Sequence, residues 1–365
     1  MDLKREAVEA YLRSLEGDDA ELVGMSTLGD TTPTTEDVKG FGYGSPVLLE
    51  YKSGDETKSA VLSTMRVQEG FGHDHFSDRA QVLLWQHSTF GNLPKHARSI
   101  DAGYFNPEGK ISSCGDASEF FILMEKIEGK EYFFDLERVK DEGATDLDLA
   151  RAEVLSTYLA EIHAVKKDSP ALYRRKIRDT VGHGECIMGI LDDYPKDPEF
   201  LAPGELSSIE KKCVDWRWRL RDRTHRLCMA HGDFHPWNVM FRSGTDFTVL
   251  DRSRGEWGEA ADDITAMTTN YIFYSVQKSL RLEGGLKDLF ELFFENYLDK
   301  TGDEELLSVI APFFAFRMMV VASPTWYPLL SGDVRRTLFN FLENVLDSEE
   351  FDYKRVNSYL ERPRI

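Results

Sequence analysis

Disulfide and zinc chemistry have little to build on in this chain. Its 365 residues hold four cysteines, Cys114, Cys186, Cys213 and Cys228, and no two form a CxxC pair. Neither a zinc knuckle nor a dithiol redox motif is suggested, and a chain of this size does not need disulfide staples. Cations are also scarce: 44 Lys and Arg stand against 64 Asp and Glu, a formal net charge of −20. General nucleic-acid binding draws on Lys and Arg to neutralise phosphates, so it is disfavoured, as is adhesion to anionic lipid. Long apolar runs are missing. The most apolar stretch, Val309 to Ala322, is short and interrupted by Arg317, well below the ~20 residues a spanning helix needs. Residues 1–17 are charged and helical in pattern, without the apolar segment of a secretion signal. A reducing, cytoplasmic setting is expected. No repeat or low-complexity segment is visible, and the 23 Phe, 14 Tyr and 6 Trp argue against global disorder.

The length suggests two domains or lobes. Before about residue 130, short β-like runs alternate with glycine-rich turns. Helices are predicted at 3–16 and 78–87, and strands at 21–28, 46–51, 59–67 and 119–125. A polar, Thr-rich stretch at 30–37 leads into Gly40-Phe41-Gly42-Tyr43-Gly44-Ser45. From about residue 146 helical spacing dominates, with helices predicted at 146–165, 207–224, 260–274, 286–298, 306–321 and 334–346. One β-hairpin signal sits inside this helical half: apolar runs at 228–230, 239–241 and 247–250, with a turn at 242–246. The fold class read from this is α+β, with a small antiparallel sheet followed by a larger helical part.

The hairpin holds the strongest chemical signal. His231-Gly232-Asp233-Phe234-His235-Pro236-Trp237-Asn238 precedes it, and the returning strand ends in Val249-Leu250-Asp251. Phosphoryl transfer from ATP needs a base near the accepting hydroxyl and oxygen ligands for Mg²⁺ on the phosphates. Asp233 on a tight loop can accept the hydroxyl proton. Asn238, five residues on, offers a hard oxygen, and Asp251 arrives from the next strand to complete a sparse oxygen site of the kind Mg²⁺ prefers.

HGDFHPWNVMF followed by VLD resembles the aminoglycoside phosphotransferase and choline kinase-like family, whose fold is protein-kinase-like. Gly258-Glu259-Ala260-Ala261-Asp262-Asp263-Ile264 is similar to the glycine-acid-x-x-x-Asp segment that follows in that family. Tyr158 to Ala164, with His163, resembles its LAxLHA helix, and Met124 to Gly129 its lobe-connecting hinge. The matches run in order over roughly residues 40–265. The resemblance implies a two-lobed protein-kinase-like fold: a nucleotide-covering N-lobe at 1–124, a hinge at 125–129, and a helical C-lobe at 130–365 with the catalytic β-hairpin and acceptor site. It implies Asp233 as catalytic base, Asn238 and Asp251 as Mg²⁺ ligands, and Asp263 as a brace for the loop. Main-chain groups at Glu125 and Ile127 would hold adenine. The implied reaction moves the γ-phosphoryl group of ATP to a hydroxyl of a small molecule.

Gly42, Gly44 and Ser45 are the candidates for covering the phosphates, although a plain flexible turn reads equally from the glycines alone. A cation from the third strand is needed to meet the phosphates. Arg66 is the first candidate, with Lys58 and Lys52 as rivals and Asp78 as a possible acidic partner. His231, His235 and His163 read as hydrogen-bonding braces rather than ligands, and Asp262 as a solvated charge at a helix start. His73 and His75 form an HxH without a nearby third ligand. Residues 182–186 fall where the family varies to fit its acceptor. Arg252 and Arg254 follow Asp251 where the family usually has other residues; they read as contacts to substrate or phosphate, or as partners of Glu256, Glu259 and Asp262. A catalytically idle nucleotide-binding regulator and a protein kinase are the competing readings. The intact Asp233, Asn238 and Asp251 oppose the first, and the lack of an A-P-E-like anchor after Asp251 opposes the second.

Overall fold

The structure, a computed structural model, describes residues 3–28, 44–67 and 72–362. The sequence-predicted phosphate-covering residue Gly42 lies outside these residues. The chain divides into two compact units, Met1–Met124 and Glu125–Ile365.

The first unit begins with α1 (Arg5–Glu16), which buries Val8 and Leu12 against the sheet. Strands β1 (Glu21–Thr27), β2 (Gly44–Ser53) and β3 (Glu56–Met65) pair antiparallel in that order. Gly54, at φ 59°, turns β2 into β3 through the tight pairing of Ser53 with Glu56; a side chain rarely adopts that backbone conformation. Then come α2 (Phe76–Thr89) and a small hairpin of β4 (Gly103–Phe105) and β5 (Ile111–Ser113). Leu22, Leu49, Tyr51 and Ile111 complete a small core with α1. The hairpin β4–β5 was not anticipated, because three-residue strands carry too little alternation to read.

The strand expected at 119–125 does not form. Residues 119–125 carry no strand pairing, and Phe121 and Leu123 are 91% and 90% exposed. A strand exists only through its ladder, and this apolar run has no ladder partner among the described residues.

The second unit opens with β6 (Lys130–Glu131), α3 (Phe133–Glu142), α4 (Asp146–His163), α5 (Pro170–Gly182), α6 (Ile187–Asp193) and α7 (Glu205–Leu220). Next are β7 (Cys228–Met229), β8 (Val239–Phe241), β9 (Phe247–Val249) and β10 (Trp257–Gly258). Helices α8 (Ala260–Ser279), α9 (Gly284–Thr301), α10 (Leu306–Val309), α11 (Ala311–Ala322), α12 (Gly332–Leu346) and α13 (Val356–Leu360) complete it. Helix α8 is buried almost all round, its threonines and Asn270 included, and runs through the middle of the core, between α4, α9 and α11. Phe290, Phe293, Phe313, Phe314 and Phe341 fill the space around it. Large aromatics of this kind each remove a large apolar area from water and dominate such cores.

The single helix expected at 306–321 is two. Pro312 stands in the first turn of α11, a position that tolerates its missing N–H, so the chain breaks and restarts at Ile310. The expected hairpin forms, with Val239 opposite Val249 and Phe241 opposite Phe247. The run at 228–230 does not join it: β7 pairs with β10, while β6 lies along β8.

Candidate active site

The hairpin sets the spacing of the central groups. Met240 pairs with Thr248, and one step beyond the ladder Leu250 N donates to Asn238 O at 2.8 Å. Asn238 and Asp251 therefore emerge at the same end of the hairpin, and Asp233 precedes Asn238 on the same loop. Asn238 Nδ2 donates to Asp233 O at 3.0 Å. With the amide nitrogen held by the loop, the oxygen is the end left to meet a cation.

The loop is fastened from beneath by Asp263, which is fully buried. Its two carboxylate oxygens accept from His231 N and Gly232 N, each at 2.7 Å. His163 Nε2 lies 3.1 Å from Oδ2, and His163 Nδ1 is 2.9 Å from the Tyr297 hydroxyl. Burial works against the Asp263 charge, but His163, His231 and the loop N–H groups outweigh it and hold the carboxyl below its usual range. Gly232 adopts φ 86°, and a Cβ there would sit 3.1 Å from Arg254 Cβ. Glycine is thus required twice over at this point of the loop.

Asp233 is partly buried. Burial alone would raise its carboxyl, yet Arg317, His235 and Arg254 prevail and hold it far below the usual carboxylate range. Arg317, on α11, is 6% exposed. Its guanidinium donates to Asp233 Oδ1, to Gly232 O at 3.0 Å and to Asp262 Oδ1 at 2.6 Å. Asp262 is therefore not the solvated charge expected from its place at a helix start. Burial pushes its carboxyl upward despite Arg317 and Arg254. His235 caps the short turn Pro236–Asn238, accepting from Trp237 N at 3.2 Å, and its Nε2 is 3.6 Å from Asp233 Oδ2. His231 Nδ1 accepts from Asp233 N at 3.3 Å, so both loop histidines hydrogen-bond within the loop, as the sequence suggested.

Asp251 differs. It is exposed, adopts the left-handed conformation at φ 55°, and its carboxylate has no hydrogen-bond or ion-pair partner among the described residues. The turn behind it is pinned by Arg252, whose guanidinium donates to Ala230 O at 2.8 Å and Glu256 O at 3.0 Å. Arg254 stacks over Phe316 at 5.0 Å and reaches Cys186 Sγ at 3.7 Å, while Lys176 Nζ donates to Arg254 O at 2.6 Å. These arginines hold carbonyls, a thiol and a ring, not the carboxylates of Glu256, Glu259 and Asp262. The contact with Cys186 brings the 182–186 segment beside this turn. Residues 182–185 of that segment are exposed, and its carbonyl at Gly184 lies so close to α6 that a Cβ on Gly189 would sit 1.8 Å from it.

Glu259, just ahead of α8, is held by a buried network. Arg226 Nη2 donates to Glu259 Oε1 at 2.8 Å and to Asp303 Oδ2 at 2.9 Å, and Tyr173 donates to Glu259 Oε2 at 2.9 Å. The acid of the Gly258–Asp263 segment is thus structural.

Of the remaining candidates, Gly44 and Ser45 begin β2, and Arg66 directly follows β3 and is exposed. Its rival Lys58 is committed to Glu16 at 2.6 Å, and Lys52 is exposed. Asp78 caps α2, accepting from His75 N at 2.7 Å. Glu125 is exposed and Ile127 half-buried in an irregular stretch that ends at Gly129, where a Cβ would meet Phe241 O at 2.9 Å. Among the described residues no three His, Cys, Asp or Glu side chains converge on a metal position. No helix among them is long and apolar enough to cross a membrane.

Arg317 and Arg226 were missed by the sequence reading. Both act on partners far along the chain, which no local spacing reveals.

A model of the phosphotransferase enzyme family (APH) matches residues 107–289. No curated protein matches the chain. Similar solved structures include an ethanolamine kinase of Plasmodium vivax, at 15% identity over 86% of this chain and 78% of that one, TM-score 0.35. An amicoumacin kinase in complex with AMP-PNP, Ca²⁺ and Ami is 14% identical over 85% of this chain and 89% of that one, TM-score 0.42. A choline kinase of Streptococcus pneumoniae is 13% identical over 93% and 98%, TM-score 0.34.

Proposed function

The chain belongs to the phosphotransferase enzyme family, a group of protein-kinase-like α+β fold, and on that premise we propose that it transfers the γ-phosphoryl group of ATP to a hydroxyl of a small molecule, with Asp233 as the base. The observation that carries this reading is the setting of Asp233: a carboxylate paired with Arg317 on a loop locked by Asp263 and tied through one hairpin to Asn238 and Asp251.

The residues fit a hard divalent cation. Asn238 has only its oxygen to offer, and Asp251 presents an exposed carboxylate without a hydrogen-bond or ion-pair partner among the described residues. Oxygen ligands in small number, leaving room for phosphates and water, suit Mg²⁺. Bound there, Mg²⁺ would neutralise charge on the β- and γ-phosphates. Gly42, Gly44, Ser45 and Arg66 are proposed to meet the phosphates, and the main chain at Glu125 and Ile127 the adenine.

Asp233 would accept a hydrogen bond from the acceptor hydroxyl and take its proton as the bond to phosphorus forms. A carboxyl held so far below its usual range is a weak base, so it orients the nucleophile more than it deprotonates it in advance. That is enough for a loose phosphoryl transition state, where positioning and electrostatics carry most of the acceleration.

The test is incubation with Mg²⁺ and γ-labelled ATP against a panel of hydroxylated small molecules, including choline, ethanolamine, glucosamine and aminoglycosides, with Asp233→Ala as blank. One acceptor should take up label with an equal amount of ADP released, and the blank should not. Nucleotide binding with no labelled product from any acceptor would instead indicate an idle regulator. Label on mixed protein substrates would indicate a protein kinase.

A further inference from the structure

Arg317 is a charged side chain in the most apolar helix of the chain. Ten of its eleven fellow residues in α11 are buried and none of them is charged. Burying a guanidinium costs several kcal/mol unless its donors are satisfied. Here the satisfaction comes from the active site: Asp233 Oδ1, Gly232 O and Asp262 Oδ1 share its two terminal nitrogens. The inner Nε finds no partner among the described residues. The group is therefore aimed at the loop, not at its own surroundings.

The geometry fixes the carboxylate. Asp233 sits one residue after Gly232, whose left-handed backbone gives the loop its bend. Arg317 takes the carbonyl on one side of that bend and the carboxylate on the other. Asp262, at the start of α8, takes a terminal nitrogen from the same guanidinium. The planar fork of an arginine suits such a multi-point clamp, whereas an ammonium is a single point charge. Arg317 lies 84 residues after Asp233 and beyond the 107–289 span matched by the family model.

We propose that Arg317 is the positioning residue of the phosphoryl-transfer site, clamping the side chain of Asp233 to Gly232 and Asp262 so that its second oxygen, beside His235, is presented to the acceptor. The inference rests on the reading of Asp233 as base. Arg317 acts through Asp233 and takes no part in nucleotide binding.

The experiment compares Arg317→Gln, Arg317→Lys, Asp262→Asn and Asp233→Ala with the full-length wild type. The probe is ADP release from MgATP with water as acceptor, which needs no knowledge of the natural acceptor, with MgATP affinity and thermal melting recorded in parallel. Arg317→Gln should lower kcat on the order of 100-fold, the scale of one lost electrostatic contact to a reacting group, with KM for ATP within about three-fold. Arg317→Lys should recover about ten-fold of that loss, and Asp262→Asn should lower kcat by about ten-fold. A kcat for Arg317→Gln within three-fold of wild type, beside an inactive Asp233→Ala, overturns the clamp and leaves the base standing. A kcat loss that follows the fraction unfolded, with no recovery in Arg317→Lys, overturns it equally. Wild-type rates in both Asp233→Ala and Arg317→Gln sink the base and the clamp together.

Discussion

Asp233 and Asp251 flank the same open end of one short hairpin, and their surroundings are opposite. Asp233 is partly buried, sits on a loop whose N–H groups are held by Asp263, and is clamped by Arg317. Asp251 is exposed on a left-handed residue, and the arginines around it hold the backbone rather than its carboxylate. The difference matches the roles proposed for the two groups. A base works best when the protein aims it before the substrate comes, and a metal ligand works best when its charge stays available to a cation and only the backbone behind it is fixed.

The comparison is broken most severely from the loop side. Asp263→Ala removes the acceptor for two backbone N–H groups and His163 in a dry site, so a loss of about 3–5 kcal/mol is expected in urea unfolding, the range for breaking a buried charged network. A loss under 1 kcal/mol would mean the loop stands without its brace. The pH dependence sharpens the same point. The folded-state Asp263 carboxyl lies below its unfolded value, so its contribution is full above roughly pH 4 and drains away as pH falls through the folded value. The stability gap between wild type and Asp263→Asn should therefore shrink from pH 5 to pH 2.5, and a constant gap would contradict the assignment.

Arg252→Ala tests the turn side. It frees the carbonyls of Ala230 and Glu256 and should cost about 1–2 kcal/mol of stability, with a modest weakening of MgATP binding; a larger effect on binding than Asp251→Asn would reverse the roles given to the two residues. The smallest stability effect belongs to Asp251→Asn. The side chain is exposed and has no partner among the described residues, and asparagine tolerates a left-handed backbone, so stability should change by no more than about 0.5 kcal/mol. A strongly destabilised Asp251→Asn would show that the carboxylate has a partner in the free protein.

Much of this contrast was legible in the sequence, because the parts that encode it are local. The loop His231–Asn238, the hairpin, Asp251 and the Asp262-Asp263 pair all lie within a stretch where spacing along the chain fixes spacing in space. Helix α8 read correctly for the same reason, whereas Asp263 as a brace followed from the family resemblance, and its contact with His163 joins residues 100 apart. The failures share another cause. Arg317 registered only as a charge interrupting an apolar run, since its partners lie 84 and 55 residues away. Asp262 read as a solvated cap because that partner was unseen. The run at 119–125 has the composition of a strand, but strand formation depends on a neighbour that composition does not specify. Helices α3, α5 and α6 were not read either; α6 is short, and in α3 and α5 charged residues break up the apolar positions.

The division of labour between the two carboxylates is tested most directly by measuring MgATP affinity and turnover together on Asp233→Ala and Asp251→Ala. The account predicts that Asp233→Ala binds MgATP within about three-fold of wild type while turnover falls by 10³-fold or more, in the range expected for removing a catalytic group. Asp251→Ala should lose the magnesium-dependent part of its nucleotide affinity. Wild-type turnover in Asp233→Ala, or undiminished magnesium-dependent binding in Asp251→Ala, would contradict it.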